Sequence, residues 1–151
     1  MKNRGEMIKK IIRAAVPQEN MVEKFTYKIV SDKPIDIISD KVPSACENYS
    51  FSLLKTYNYH ELLESKGFPI KRKAFVFEIC QAKTAAAMLT AVPQFSIFMP
   101  CKLAVYEDNG KTVISTVNME IMLDAIATDK ELYAEAATLF NKLKSLMDSI
   151  S

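Results

Sequence analysis

Glycine is scarce in this chain: only Gly5, Gly67 and Gly110 occur in 151 residues, and they lie far apart. A loop that cradles phosphate needs several glycines within a turn or two, so neither a Walker loop nor a dinucleotide fingerprint can be written. Histidine is scarcer still. His60 stands alone, which excludes clusters of imidazole ligands and leaves one side chain whose ordinary pKa lies near neutrality. The three cysteines, Cys46, Cys80 and Cys101, are an odd number at wide spacings with no Cys-x-x-Cys. They read as reduced thiols in a reducing compartment, not as a disulfide framework or a zinc site. No metal and no cofactor is expected.

Long apolar runs are also missing. None reaches the roughly 18 residues that a spanning helix requires, so no membrane partner is expected. Lys9, Lys10 and Arg13 interrupt what would have to be the apolar region of a secretory leader, and the expected location is cytoplasmic. Charge of one sign is lacking as well. With 20 basic and 18 acidic side chains the net charge is +2, too little to gather nucleic acid, which is not expected as a partner.

What is present is an ordinary globular composition, 49% hydrophobic and 25% charged, at the length of a single domain that can bury a core. Ile8, Ile11, Ile12 and Ala15 recur at helical spacing before Pro17 and predict a short basic amphipathic helix. Residues 1–22 are read as this helix and a linker, and residues 23–151 as one α+β domain. Phe25 to Val30 predicts a strand, with Asp32 capping a helix that carries Ile35, Ile38 and Val42 and is kinked or split at Pro43. A second strand is expected from Phe51 to Tyr57, then a helix from Tyr59 to Lys66 stopped by Gly67. Ala74 to Ile79 reads as a strand buried on both faces, and Gln81 to Val92 as a helix that ends before Pro93. Two runs rich in Val, Ile, Thr and Tyr flank Asp108-Asn109-Gly110-Lys111. Asn-Gly favours a type I′ turn, which predicts a hairpin pairing Asp108 with Lys111 and Tyr106 with Val113. Thr128 and Glu131 have the spacing of a capping box ahead of a long amphipathic helix ending near Ile150. Hairpins mixed with crossovers and no internal repeat indicate a two-layer α+β domain.

Three side chains are candidates for chemistry. Cys80 closes a strand where the N-cap of the next helix is expected, and a helix N-terminus stabilises a thiolate, which makes it a candidate nucleophile. Cys101 follows Pro100, a residue that suggests an edge strand or a bulge. His60 is the simplest general base near pH 7, or else a half-exposed residue at a helix start. The carboxylates are scattered, and Glu78, inside an apolar strand, calls for a lysine partner.

The pattern Phe77-Glu78-Ile79-Cys80-Gln81-Ala82-Lys83, then Met88-Leu89, then Met99-Pro100-Cys101-Lys102-Leu103-Ala104-Val105-Tyr106-Glu107-Asp108, then Thr112-Val113-Ile114-Ser115, resembles the domain of unknown function 302 family, with a likeness running from about Phe25 to the last helix. Family members commonly carry Cys-Asn-Pro where this chain has Cys80-Gln81-Ala82, and some have an Asp-His pair where Tyr59-His60 stands here. The resemblance implies a curved, mainly antiparallel sheet with helices packed on one side, and homodimers among relatives, but no agreed activity.

The expected function is a ligand-binding or accessory module, homo-oligomeric and taking a small-molecule ligand. One alternative is a thiol-based redox or sulfur-handling protein in which Cys80 and Cys101 meet on the inner side of the sheet, with His60 nearby. The other is a purely structural oligomer with both thiols buried and inert.

Overall fold

The computed structural model describes residues 18–151; the amphipathic segment predicted around Ile8 to Ala15 lies outside them. In chain order the elements are α1 (Gln18–Phe25), β1 (Thr26–Ser31), α2 (Ile35–Asn48), β2 (Ser52–Asn58), α3 (Tyr59–Ser65), β3 (Ala74–Cys80) and α4 (Ala82–Ala91). A 3-10 turn (Pro93–Phe98) leads to β4 (Cys101–Asp108) and β5 (Lys111–Val117), followed by α5 (Glu120–Leu123), a second 3-10 turn (Asp124–Ile126) and α6 (Lys130–Ile150).

The five strands form one sheet in the order β1-β5-β4-β3-β2, each pair antiparallel. The hairpin forms in the expected register: Asp108 pairs with Lys111 and Tyr106 with Val113. Asn109 and Gly110 hold φ values of 49° and 74°, the left-handed backbone that a type I′ turn demands.

Helices α2 and α6 cover one face of the sheet. Ile35, Ile38, Val42, Ala45 and Cys46 on α2 and Leu139, Leu143, Leu146, Met147 and Ile150 on α6 recur every three or four residues, and all are buried against Phe77, Ile79, Leu103, Val105 and Ile114. Residues of the opposite parity on β3 and β4, such as Val76, Glu78 and Tyr106, remain only half buried, whereas Val113 and Ser115 of the neighbouring β5 are buried. The architecture is therefore α+β with helices on one side of an antiparallel sheet.

Several local expectations are corrected. β3 is buried on one face, through Phe77 and Ile79, and not on both, because an antiparallel sheet with a single helical layer leaves its other face uncovered. Of the kink or split expected at Pro43, the split does not occur: α2 runs as one helix through Pro43. The proline sits on its exposed side and forfeits one backbone bond, while Val42, Ala45 and Cys46 remain in the core. Asp32 does not cap α2. Pro34 occupies the N-cap position without a side-chain bond, and the Asp32 carboxylate instead accepts from the Lys111 ammonium. At the other end Thr128 does not cap α6. Asp129 does, accepting the Leu132 N–H at 3.0 Å, so the start is displaced by one residue.

Gly67, at φ 85°, stops α3 as expected. The N–H groups of Gly67 and Phe68 return to the carbonyls of Glu64 and Leu63 at 2.9 Å each, the paired bonds of a Schellman ending.

A candidate apolar ligand cavity

Cys80 is the last residue of β3, paired across the ladder with Ser52. The N-cap of α4 is Gln81, so Cys80 stands one residue outside the position expected for it. The reason is that the β2–β3 ladder extends to residue 80 and keeps that residue in extended backbone. The Gln81 carbonyl accepts the Ala85 N–H at 3.0 Å, but its side chain makes no capping bond to the helix backbone; its Oε1 accepts the hydroxyl of Thr84 at 2.7 Å, and Glu135 of α6 offers that hydroxyl a second acceptor at 3.4 Å.

Cys101 is the first residue of β4, which lies between β3 and β5, so Pro100 marks neither an edge strand nor a bulge. It precedes the ladder, where its missing N–H removes no sheet bond. The irregularity in this sheet falls instead in β2, between Leu53 and Lys55. Across β3 and β4 the Cα partner of Cys101 is Ile79. Cys80 is one step off register, which sets the two cysteine Cα atoms roughly 6 Å apart from standard strand spacings. Both thiols are free. Burial pushes the Cys101 thiol above its ordinary pKa, and nearby Cys80 adds to the rise against the opposing pull of Lys102. Cys46 lies in the main core and is raised by burial too, with Glu47 contributing.

His60 does not join them. It occupies the first turn of α3, where its Nδ1 accepts the Ala74 N–H at 3.2 Å and its ring meets Phe75 edge-on at 5.3 Å. Ala74 opens β3 and Cys80 closes it, six residues or roughly 20 Å further along the strand. The imidazole therefore satisfies a backbone donor at the far end of the sheet. Glu78 lies opposite Lys55 and Lys102 in the register of its two neighbours and accepts the Tyr57 hydroxyl at 3.3 Å. Among the described residues no group of three or more His, Cys, Asp or Glu gathers as a metal site, and no helix is long and apolar enough to cross a membrane.

The two cysteines instead share a cavity of about 490 Å³ at the end of the sheet where β3 stops and β4 starts. One wall is α4 with the 3-10 turn after it. The floor comes from Leu123, Ile126, Ala136 and Leu139, contributed by the α5 region and α6. Four methionines, Met88, Met99, Met119 and Met122, line it as well. Their unbranched, polarisable side chains adapt to irregular shapes. The polar contribution is small: Gln81, Thr84, Thr116, Lys102 and the thiols. A second depression of about 500 Å³, between α5 and α6, is lined by Asn118, Glu120, Asp124, Asn141 and Lys144 among others and holds none of the residues singled out from the sequence. Sequence reasoning missed the cavity because its walls come from five separate segments; the methionines between residues 88 and 122 were the one compositional hint.

Fold and site together define a class: a two-layer α+β domain with an apolar cavity at one end of an antiparallel sheet. The chain belongs to the DUF302 family, whose model, described as a domain of unknown function, matches residues 27–150. The crystal structure of an uncharacterized conserved protein DUF302 from Bacillus stearothermophilus is similar in fold, with a TM-score of 0.74 at 24% identity over 84% of this chain and 98% of that one. No curated protein matches.

Proposed function

We propose that the protein is a binding module that takes a small apolar ligand into the cavity between α4, α6 and the ends of β3 and β4. The observation that carries this reading is the cavity itself, of ligand size at about 490 Å³ and lined mainly by aliphatic and methionine side chains. A neutral fluorescent probe such as N-phenyl-1-naphthylamine is expected to bind saturably at one site, and Ala85→Phe, which places a ring into the void from the α4 wall, is expected to weaken it at least tenfold. Absence of saturable binding by the parent protein would remove the reading.

A thiol-based reading is supported by the adjacency of Cys80 and Cys101 at this cavity. It ranks second because burial favours the neutral form of Cys101 and because Ile79, not Cys80, is its cross-strand partner. Mild oxidation followed by peptide mapping separates the two: an intramolecular Cys80–Cys101 bridge would favour thiol chemistry. The proposal also takes in a reducing, cytoplasmic setting, supported by three free thiols, and self-association, supported by the uncovered sheet face that carries Val30 at 57% exposure.

A further inference from the structure

The cavity grades from wet to dry. Leu54, Leu89, Ile97, Phe98 and Val117 at its rim are each at least 41% exposed, whereas Met88, Leu123, Ile126, Ala136 and Leu139 at its floor are at most 7% exposed. An occupant would therefore have one end in an apolar interior and the other at the solvent boundary. Among the described residues its only aromatic lining side chains are Phe95 and Phe98, tilted 58° to each other, so these rings form no parallel slot for a flat one. Flexible aliphatic and thioether walls suit a flexible chain.

Charge at the rim has one sign. Among the described residues Lys102 is the only charged one that lines the cavity, and no carboxylate does. Its side chain is exposed, and among the described residues it forms no ion pair within 4.0 Å. Across the sheet it stands in a row with Glu78 and Lys55, two cations to one carboxylate, and that carboxylate also receives the Tyr57 hydroxyl. That row lies on the sheet face that the helices leave uncovered and carries an excess of one positive charge.

From this gradient of burial and charge we infer that the ligand is a single-chain amphiphile with an anionic head, a long-chain carboxylate being the simplest, whose chain enters toward Ala136 and Leu139 while its head remains at the rim beside Lys102. The inference rests on the proposed binding function and names its ligand class. Each buried methylene contributes about 0.8 kcal/mol, or roughly fourfold in affinity, until the chain reaches the floor. A head group paired with an exposed lysine adds about as much as one further methylene, at most roughly fivefold.

Calorimetric titration of the full chain with octanoate, decanoate, dodecanoate and tetradecanoate, each below its micelle concentration, tests this alongside dodecanol and dodecylamine. Affinity is expected to rise about fourfold per methylene and then level off, with dodecanoate above dodecanol and dodecylamine weakest. Lys102→Gln, an exposed substitution, should weaken dodecanoate roughly fivefold and leave dodecanol unchanged, and added salt should weaken dodecanoate, strengthen dodecylamine and leave dodecanol unchanged. If dodecanol and dodecylamine bind as well as dodecanoate and Lys102→Gln changes nothing, the anionic-head inference fails while the apolar cavity function stands. If neither these compounds nor the neutral naphthylamine probe binds, both fail.

Discussion

Cys101 keeps its proton more tightly than an ordinary thiol because burial disfavours its thiolate. The raised pKa has a defined sign. Stability associated with the neutral thiol is fully present below the ordinary value of 9.0 and is lost as pH rises through the higher folded value, since the unfolded chain releases that proton first. The alkaline fall of the thermal midpoint above about pH 9 should accordingly be shallower in Cys101→Ala than in the parent protein; an identical slope would show that burial does not act on this thiol. Ser50 offers a second residue-scale test. It follows α2 with φ at 62°, its N–H returns to the Glu47 carbonyl at 3.2 Å, and the Phe51 N–H returns to Cys46 at 2.8 Å. This is the ending that glycine usually supplies, so Ser50→Gly should stabilise the protein by about 0.5–1 kcal/mol in urea titration. A destabilised variant would mean that the serine side chain is needed there.

Among the elements, α6 contributes more buried side chains than any other helix, and its N-terminus and its middle respond differently to substitution. Asp129 accepts the Leu132 N–H, so Asp129→Ala should lose about 1 kcal/mol, whereas Thr128→Ala, at an exposed position outside the cap, should change stability by less than about 0.5 kcal/mol. The reverse order would restore the capping box read from the sequence. In the middle of the helix Leu143 is 0% exposed and bridges α6 to the sheet. Leu143→Ala should cost about 2–5 kcal/mol by chemical denaturation, because the surrounding α2 and sheet side chains can close only part of the void.

For the whole molecule, binding in the cavity must show as stabilisation. A ligand present at a hundredfold excess over its dissociation constant adds about 2.7 kcal/mol to a folded state that alone binds it, so saturating dodecanoate should raise the thermal midpoint of the parent protein and raise that of Ala85→Phe far less. Self-association belongs to the same scale. Light scattering across a concentration series is expected to give a dimer, and a monomer at high concentration would remove the homo-oligomer proposal.

The sequence by itself determined those features whose physics is contained in a short window. Asn109-Gly110 places its own residues in left-handed backbone and thereby fixes the β4–β5 register, Gly67 ends α3, and the spacing of Leu139, Leu143, Leu146 and Ile150 declares a buried helical stripe. Resemblance to a known family added the sheet with its helices on one side. Single-residue boundaries escaped because neighbouring contacts decide them: the ladder to Ser52 draws Cys80 into β3 and moves the cap to Gln81, and Asp129 takes the cap from Thr128. Only the tertiary structure could separate His60 from the thiols, since their distance depends on which end of β3 each occupies. The cavity was likewise a tertiary decision. Its floor joins Met88 to Ala136 and Leu139 across some fifty residues, and a void is defined by how packed surfaces fail to meet, a property that no local pattern of side chains encodes.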